Sequence, residues 1–76
     1  MLNLVKDWLL TLASGHDDMD KVIEQCCKLW TEHPPAKRSY DMRETIGNLV
    51  NKGLVGTGLR GNVSNQVWIT DEGMKE

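Results

Sequence analysis

Pro34-Pro35 stands near the middle of a 76-residue chain. Proline fixes its own φ, lacks an N–H and pushes the residue before it out of the helical region. No helix can run through this pair. The apolar periodicities on its two sides therefore belong to separate helices. Residues 1–76 allow one domain with a small core, because a chain of this size buries only about 60% of its unfolded surface. There is no Phe and one Tyr, but Trp8, Trp30 and Trp68 are spread along the chain as anchors for one compact core.

Before the prolines, Val5, Trp8, Leu9 and Leu12 fall at i, i+3, i+4 and i+7. The spacing predicts a helix over 2–14, widened by Leu4 and Leu10 and stopped by Gly15. His16, Asp17 and Asp18 read as a polar connection. Asp18 is placed to cap the next helix, with Asp20 near the positive end of its dipole. Met19, Val22, Ile23, Cys26, Leu29 and Trp30 trace one face of that second helix. After the prolines, Ser39 is the expected N-cap of a third helix. Its apolar face is Met42, Ile46, Leu49 and Val50, and Gly53 ends it. The opposite face is Tyr40, Arg43, Glu44, Gly47, Asn48 and Asn51.

Leu54-Val55 begins an extended segment. Gly56, Gly58 and Gly61 punctuate it, and Arg60 to Asn65 is turn-rich. Gln66-Val67-Trp68-Ile69-Thr70 is β-branched and aromatic, as strands are. Thr70 can cap a short last helix at Asp71-Glu72. The expected class is α+β: three helices, a two-stranded hairpin and the start of a C-terminal helix.

The net charge of −2 excludes a polybasic nucleic-acid coat. The distribution is uneven: residues 1–33 carry −3, residues 34–68 carry +3 and residues 69–76 carry −2. Cys26 and Cys27 are adjacent and have no third cysteine to pair with. Helical neighbours point about 100° apart, so they read as reduced thiols in a cytoplasmic protein. His16, Cys26, Cys27 and His33 match no zinc spacing, so no metal or other cofactor is expected. There is no nucleophile motif or phosphate-binding loop, and little room for a substrate pocket. The chain reads as not an enzyme. No apolar run is long enough to span a membrane.

Two short motifs carry a resemblance. Met42, Ile46 and Leu49 lead into Val50-Asn51-Lys52-Gly53-Leu54-Val55, and Trp68-Ile69-Thr70-Asp71-Glu72-Gly73 follows. This order resembles the winged helix-turn-helix domain of bacterial MarR- and PadR-type transcriptional regulators, and covers mainly the second half of the chain. The resemblance implies a helix-turn-helix at about 20–52 and a wing at about 54–70. It implies a small cytoplasmic DNA-binding regulator, bacterial or phage-borne, whose partner is double-stranded DNA. The expected assembly is a homodimer on a pseudo-palindrome or several copies on repeated sites; for a homodimer, Leu2, Leu4, Trp8 and Leu12 of the N-terminal helix are the candidate surface.

On that resemblance the third helix enters the major groove. Arg43 would fork onto a guanine and Asn48 would pair with an adenine. Ser39 and Tyr40 would touch phosphate, beside Lys37 and Arg38. Glu44 shares this face, and Gly47 leaves room for DNA to come close. Arg60 and Asn62 of the wing would meet phosphate or the minor groove. Each residue also has a plainer role: a solvated helix face, a flexible loop, or, for Gly47, close packing against another helix. The alternative function is a winged-helix module that binds another protein, which Asp41, Glu44 and the acidic first helices favour. The two readings part on electrostatics. DNA binding requires Lys37, Arg38, Arg43 and Arg60 on one face, with Asp17, Asp18, Glu24 and Glu32 behind it.

Overall fold

The computed structural model, which describes residues 2–76, contains four α-helices, one 3-10 turn and three strands among those residues. Their order is α1 (Leu2–Leu10), β1 (His16–Asp18), α2 (Met19–Leu29), a 3-10 turn (Pro35–Lys37), α3 (Arg38–Asn51), β2 (Val55–Arg60), β3 (Val63–Ile69) and α4 (Asp71–Lys75). The strands form an antiparallel sheet in the order β1-β3-β2. The class is α+β.

Helix α1 ends at Leu10, four residues before the expected boundary. The Thr11 hydroxyl donates to the Trp8 carbonyl at 2.6 Å. Single turns then carry the chain to Gly15, whose φ of 74° suits glycine. His16–Asp18 is not a connection but a strand, with His16 opposite Trp68 and Asp18 opposite Gln66. Three polar residues carry no strand pattern of their own. Their side chains are taken up by neighbours instead. His16 Nδ1 bonds Gln66 Oε1 at 2.8 Å, and Asp17 accepts from Trp8 Nε1 at 2.9 Å. Asp18 accepts from the Asp20 N–H and caps α2, as its position implied.

Helix α3 begins two residues early, at Arg38, with Lys37 rather than Ser39 as its cap residue. Ser39 is therefore inside the first turn and is not the N-cap. The 3-10 turn that starts on Pro35 already sets the helical φ, so no side-chain cap is used. At the other end Gly53 has φ 77°. Its N–H donates to Val50 O at 2.9 Å, and the Leu54 N–H donates to Leu49 O at 3.0 Å. This is a Schellman ending, which satisfies two carbonyls the helix would otherwise leave open.

The hairpin turn is shorter than its composition suggested. Only Gly61 and Asn62 lie outside the strands, at φ 61° and 66°, the signs of a type I′ turn. Register slips once: Gly58 faces Gln66, but Arg60 faces Val63. The extra residue belongs to β3, where Asn65 takes φ 58°.

Val5, Leu9, Val22, Ile23, Cys26, Met42, Ile46, Leu49, Val55 and Val67 form the core. The tryptophans do not centre it. Trp8 and Trp30 are half-buried at its rim. Trp68 lies across the sheet from the core, alternating with Val67 along β3. Leu10 and Leu29, expected inside, are exposed.

Both cysteines are free thiols. Burial, with a smaller contribution from Cys27, pushes Cys26 up to about 11 from an ordinary value near 9. Burial also raises Cys27, against the opposing pull of Arg38. The thiolate is the reactive form, so both react slowly near neutral pH. Half-buried Cys27 is expected to take up iodoacetamide first, with Cys26 modified only in denaturant. Mass mapping of the alkylated peptides checks this. A folded-state value raised in this way gives stability that is complete below pH 9 and is lost as pH climbs toward 11.

Candidate functional site

Burial of Met42, Ile46 and Leu49 fixes the rotation of α3. The opposite face, Tyr40, Arg43, Glu44, Gly47, Asn48 and Asn51, is exposed along its length. Tyr40 is 74% exposed. A Cβ built on Gly47 meets no atom within 4 Å. Gly47 is therefore not kept small by packing against another helix of the chain. It leaves a shallow gap in the middle of an open polar face, at a helix-interior position where glycine costs about 1 kcal/mol relative to alanine.

The cations around this face are not equivalent. Lys37 is exposed at the start of α3, with Ser39 beside it. Arg38 is half-buried and committed: its Nε donates to His33 O at 2.8 Å and its Nη2 to Thr31 O at 3.3 Å. It clamps the linker between α2 and α3. The same linker is held by His33, which stacks on Trp30 at 3.9 Å between ring centroids and bonds the Asp41 carboxylate. Arg43 Nη2 donates to Asp20 Oδ1 at 3.1 Å. Arg60 sits over the Trp68 ring, 4.9 Å from its centroid. A stacked guanidinium keeps its in-plane N–H groups for other acceptors.

Arg38, Ser39 and Arg43 share an open groove of about 470 Å³ with Asp20, Glu24 and Lys28. Arg43 and Asp20 also line a second groove, with Thr57, Gly58 and Asn65 of the hairpin. Arg43 thus stands where α2, α3 and the hairpin meet. The acidic residues are not all behind this face. Asp17 and Asp18 are taken up at the α1–α2 junction, but Asp20 and Glu24 lie in the groove itself.

Asn62 is exposed, and its positive φ gives it a turn-forming role beside any contact it makes. Two features of this region do not follow from the sequence pattern read above. Leu59 and Val63, 70% and 51% exposed, make the end of the hairpin partly apolar. Leu59 continues the i, i+2 row of Val55 and Thr57 on β2, a signal masked by the glycines between them, and Val63 opens β3. Gly56 is the other. A Cβ there would stand 2.2 Å from Trp68 Nε1, so the glycine makes room for the indole.

Leu2, Leu4, Trp8 and Leu12, the expected dimer surface, are half-buried against the core, and Leu10 is the exposed leucine of α1. No group of three His, Cys, Asp or Glu among the described residues comes together as a metal site. No helix among them is long and apolar enough to cross a membrane. Comparison with protein-family models, curated proteins and solved structures gave no match.

Proposed function

We propose that this chain is a small winged-helix DNA-binding regulator. Helix α3 enters the major groove, and the β2–β3 hairpin is the wing that lies on the flanking backbone. The observation that carries this reading is the open face of α3, with Gly47 bare at its centre between Arg43 and Asn48. The β2–β3 hairpin beside that face is compatible with a wing. Arg43 and Asn48 have the donors that fork onto guanine and adenine edges. Lys37 and Arg60 supply phosphate attraction, while Arg38 acts mainly by fixing the linker.

The interaction-module reading keeps one specific support. Asp20 and Glu24 share the groove with Arg38 and Arg43, and Glu44 lies on the α3 face. Carboxylates there repel phosphate and suit a partner with its own cations.

The paired variants Arg43→Ala and Arg60→Ala test the roles. On a panel of duplexes, Arg43→Ala is expected to flatten the differences between sequences, by about 1–3 kcal/mol at the position it reads. Arg60→Ala is expected to weaken binding to all of them alike. Equal effects of both on every duplex would remove the assignment. No binding to any duplex, with capture of a protein partner, would establish the alternative.

A further inference from the structure

We propose that Asp20 is a positioning residue for Arg43. It holds the guanidinium on an acceptor of the protein's own until DNA offers a better one. This deepens the DNA-binding reading and rests on it.

Asp20 is the second residue of α2, and its N–H is fixed by the Asp18 cap. From there its carboxylate reaches Arg43 of α3, 23 residues later in the chain, through one hydrogen bond at 3.1 Å. The pair stands at the meeting of both grooves, beside the hairpin. Both members are exposed, Arg43 by 60% and Asp20 by 83%. Such an exposed pair is weak and exchanges readily.

A carboxylate oxygen offers Arg43 the same chemistry as guanine O6 and N7 or a phosphate oxygen: an acceptor for N–H. The contact with Asp20 uses one of five guanidinium N–H groups. Guanine offers two acceptors in fork geometry, which a guanidinium meets with two N–H groups at once. Exchange onto guanine is therefore favourable, whereas exchange onto a random phosphate gains little and brings Asp20 toward the DNA charge. Asp20 lowers non-specific attachment while leaving the specific contact available. Glu24 is the built-in control. It lies in the same groove with the same charge, but its partner is Lys28, at 3.6 Å, and not Arg43.

The experiment titrates a random-sequence duplex at low salt with wild type, Asp20→Asn, Glu24→Gln, Arg43→Ala and the Asp20→Asn/Arg43→Ala double variant. Asp20→Asn is expected to tighten binding about five-fold, the upper end for an exposed pair. Glu24→Gln is expected to give about two-fold or less, from charge alone. In the Arg43→Ala background the Asp20→Asn gain should shrink to that of Glu24→Gln. Equal gains from Asp20→Asn and Glu24→Gln, or a gain independent of Arg43, would overturn the proposal and leave DNA binding standing. Failure of all five proteins to bind would remove the DNA-binding reading, and this inference with it.

Discussion

Replacing Gly47 with glutamine is expected to separate stability from binding. The backbone at Gly47 is ordinary α-helix, and a Cβ there has open space around it. Gly47→Ala should therefore stabilise the fold by about 1 kcal/mol. In a domain of this size that raises Tm by about 4–8 °C. Gly47→Gln keeps part of this gain. If α3 lies against DNA, however, the longer side chain fills the space into which a base edge or the sugar–phosphate chain must come. The expected loss is about ten-fold or more in affinity, corresponding to about 1.4 kcal/mol. Thermal melts and duplex titrations on the same two variants read both effects. A Gly47→Gln variant that is more stable and binds as well as wild type would move the contact surface off this face.

Gly73→Ala is expected to have the largest effect on stability. Its Cβ would stand 2.1 Å from the Leu54 carbonyl oxygen, a backbone atom that cannot turn aside. Ile69 Cγ2 closes the other side at 3.0 Å. Four further hydrogen bonds meet at the same place. The Thr70 N–H donates to Leu54 O, the Thr70 hydroxyl donates to Gly53 O at 2.6 Å and accepts from the Gly73 N–H, and Lys6 Nζ donates to Gly73 O. A methyl group at residue 73 must push α4 off the end of α3 and strain all of them. Overpacking of this kind costs about 3 kcal/mol. That is a large share of the total stability of a 76-residue chain, about 4–11 kcal/mol. A Tm lowered by more than about 10 °C is expected by circular dichroism. A near-wild-type melt would mean that α4 does not dock on Leu54.

This junction also explains what the winged-helix resemblance rests on. Lys52-Gly53-Leu54-Val55 and Trp68-Ile69-Thr70-Asp71-Glu72-Gly73 meet at the end of α3. One supplies the glycine turn and the carbonyls; the other supplies the hydroxyl and the glycine that fit them. Both are signals of fold, and neither lies on the exposed α3 face. The helix faces around Val22 and Ile46 were legible from apolar spacing because their burial is one-sided. Strand β1 was not, because His16, Asp17 and Asp18 are held by side chains of Gln66 and Trp8 and by the backbone of α2, all distant or local partners without periodicity. The exposed face of α3 was legible by subtraction once its apolar stripe was set. The partners of its arginines were not. Asp20 comes to Arg43 only through the tertiary fold, Trp68 comes to Arg60 through the hairpin register, and the Thr31 and His33 carbonyls come to Arg38 through the course of the linker.

Contact of α3 and the hairpin with DNA is read by fluorescence anisotropy of the whole chain against a random-sequence duplex, first at low salt and then as salt rises. The expected result is binding whose log K falls linearly with log salt, with a slope of about −3 for three or four phosphates per protomer. No binding at low salt and high protein concentration would rule out that contact and leave the protein-interaction reading to be tested by partner capture.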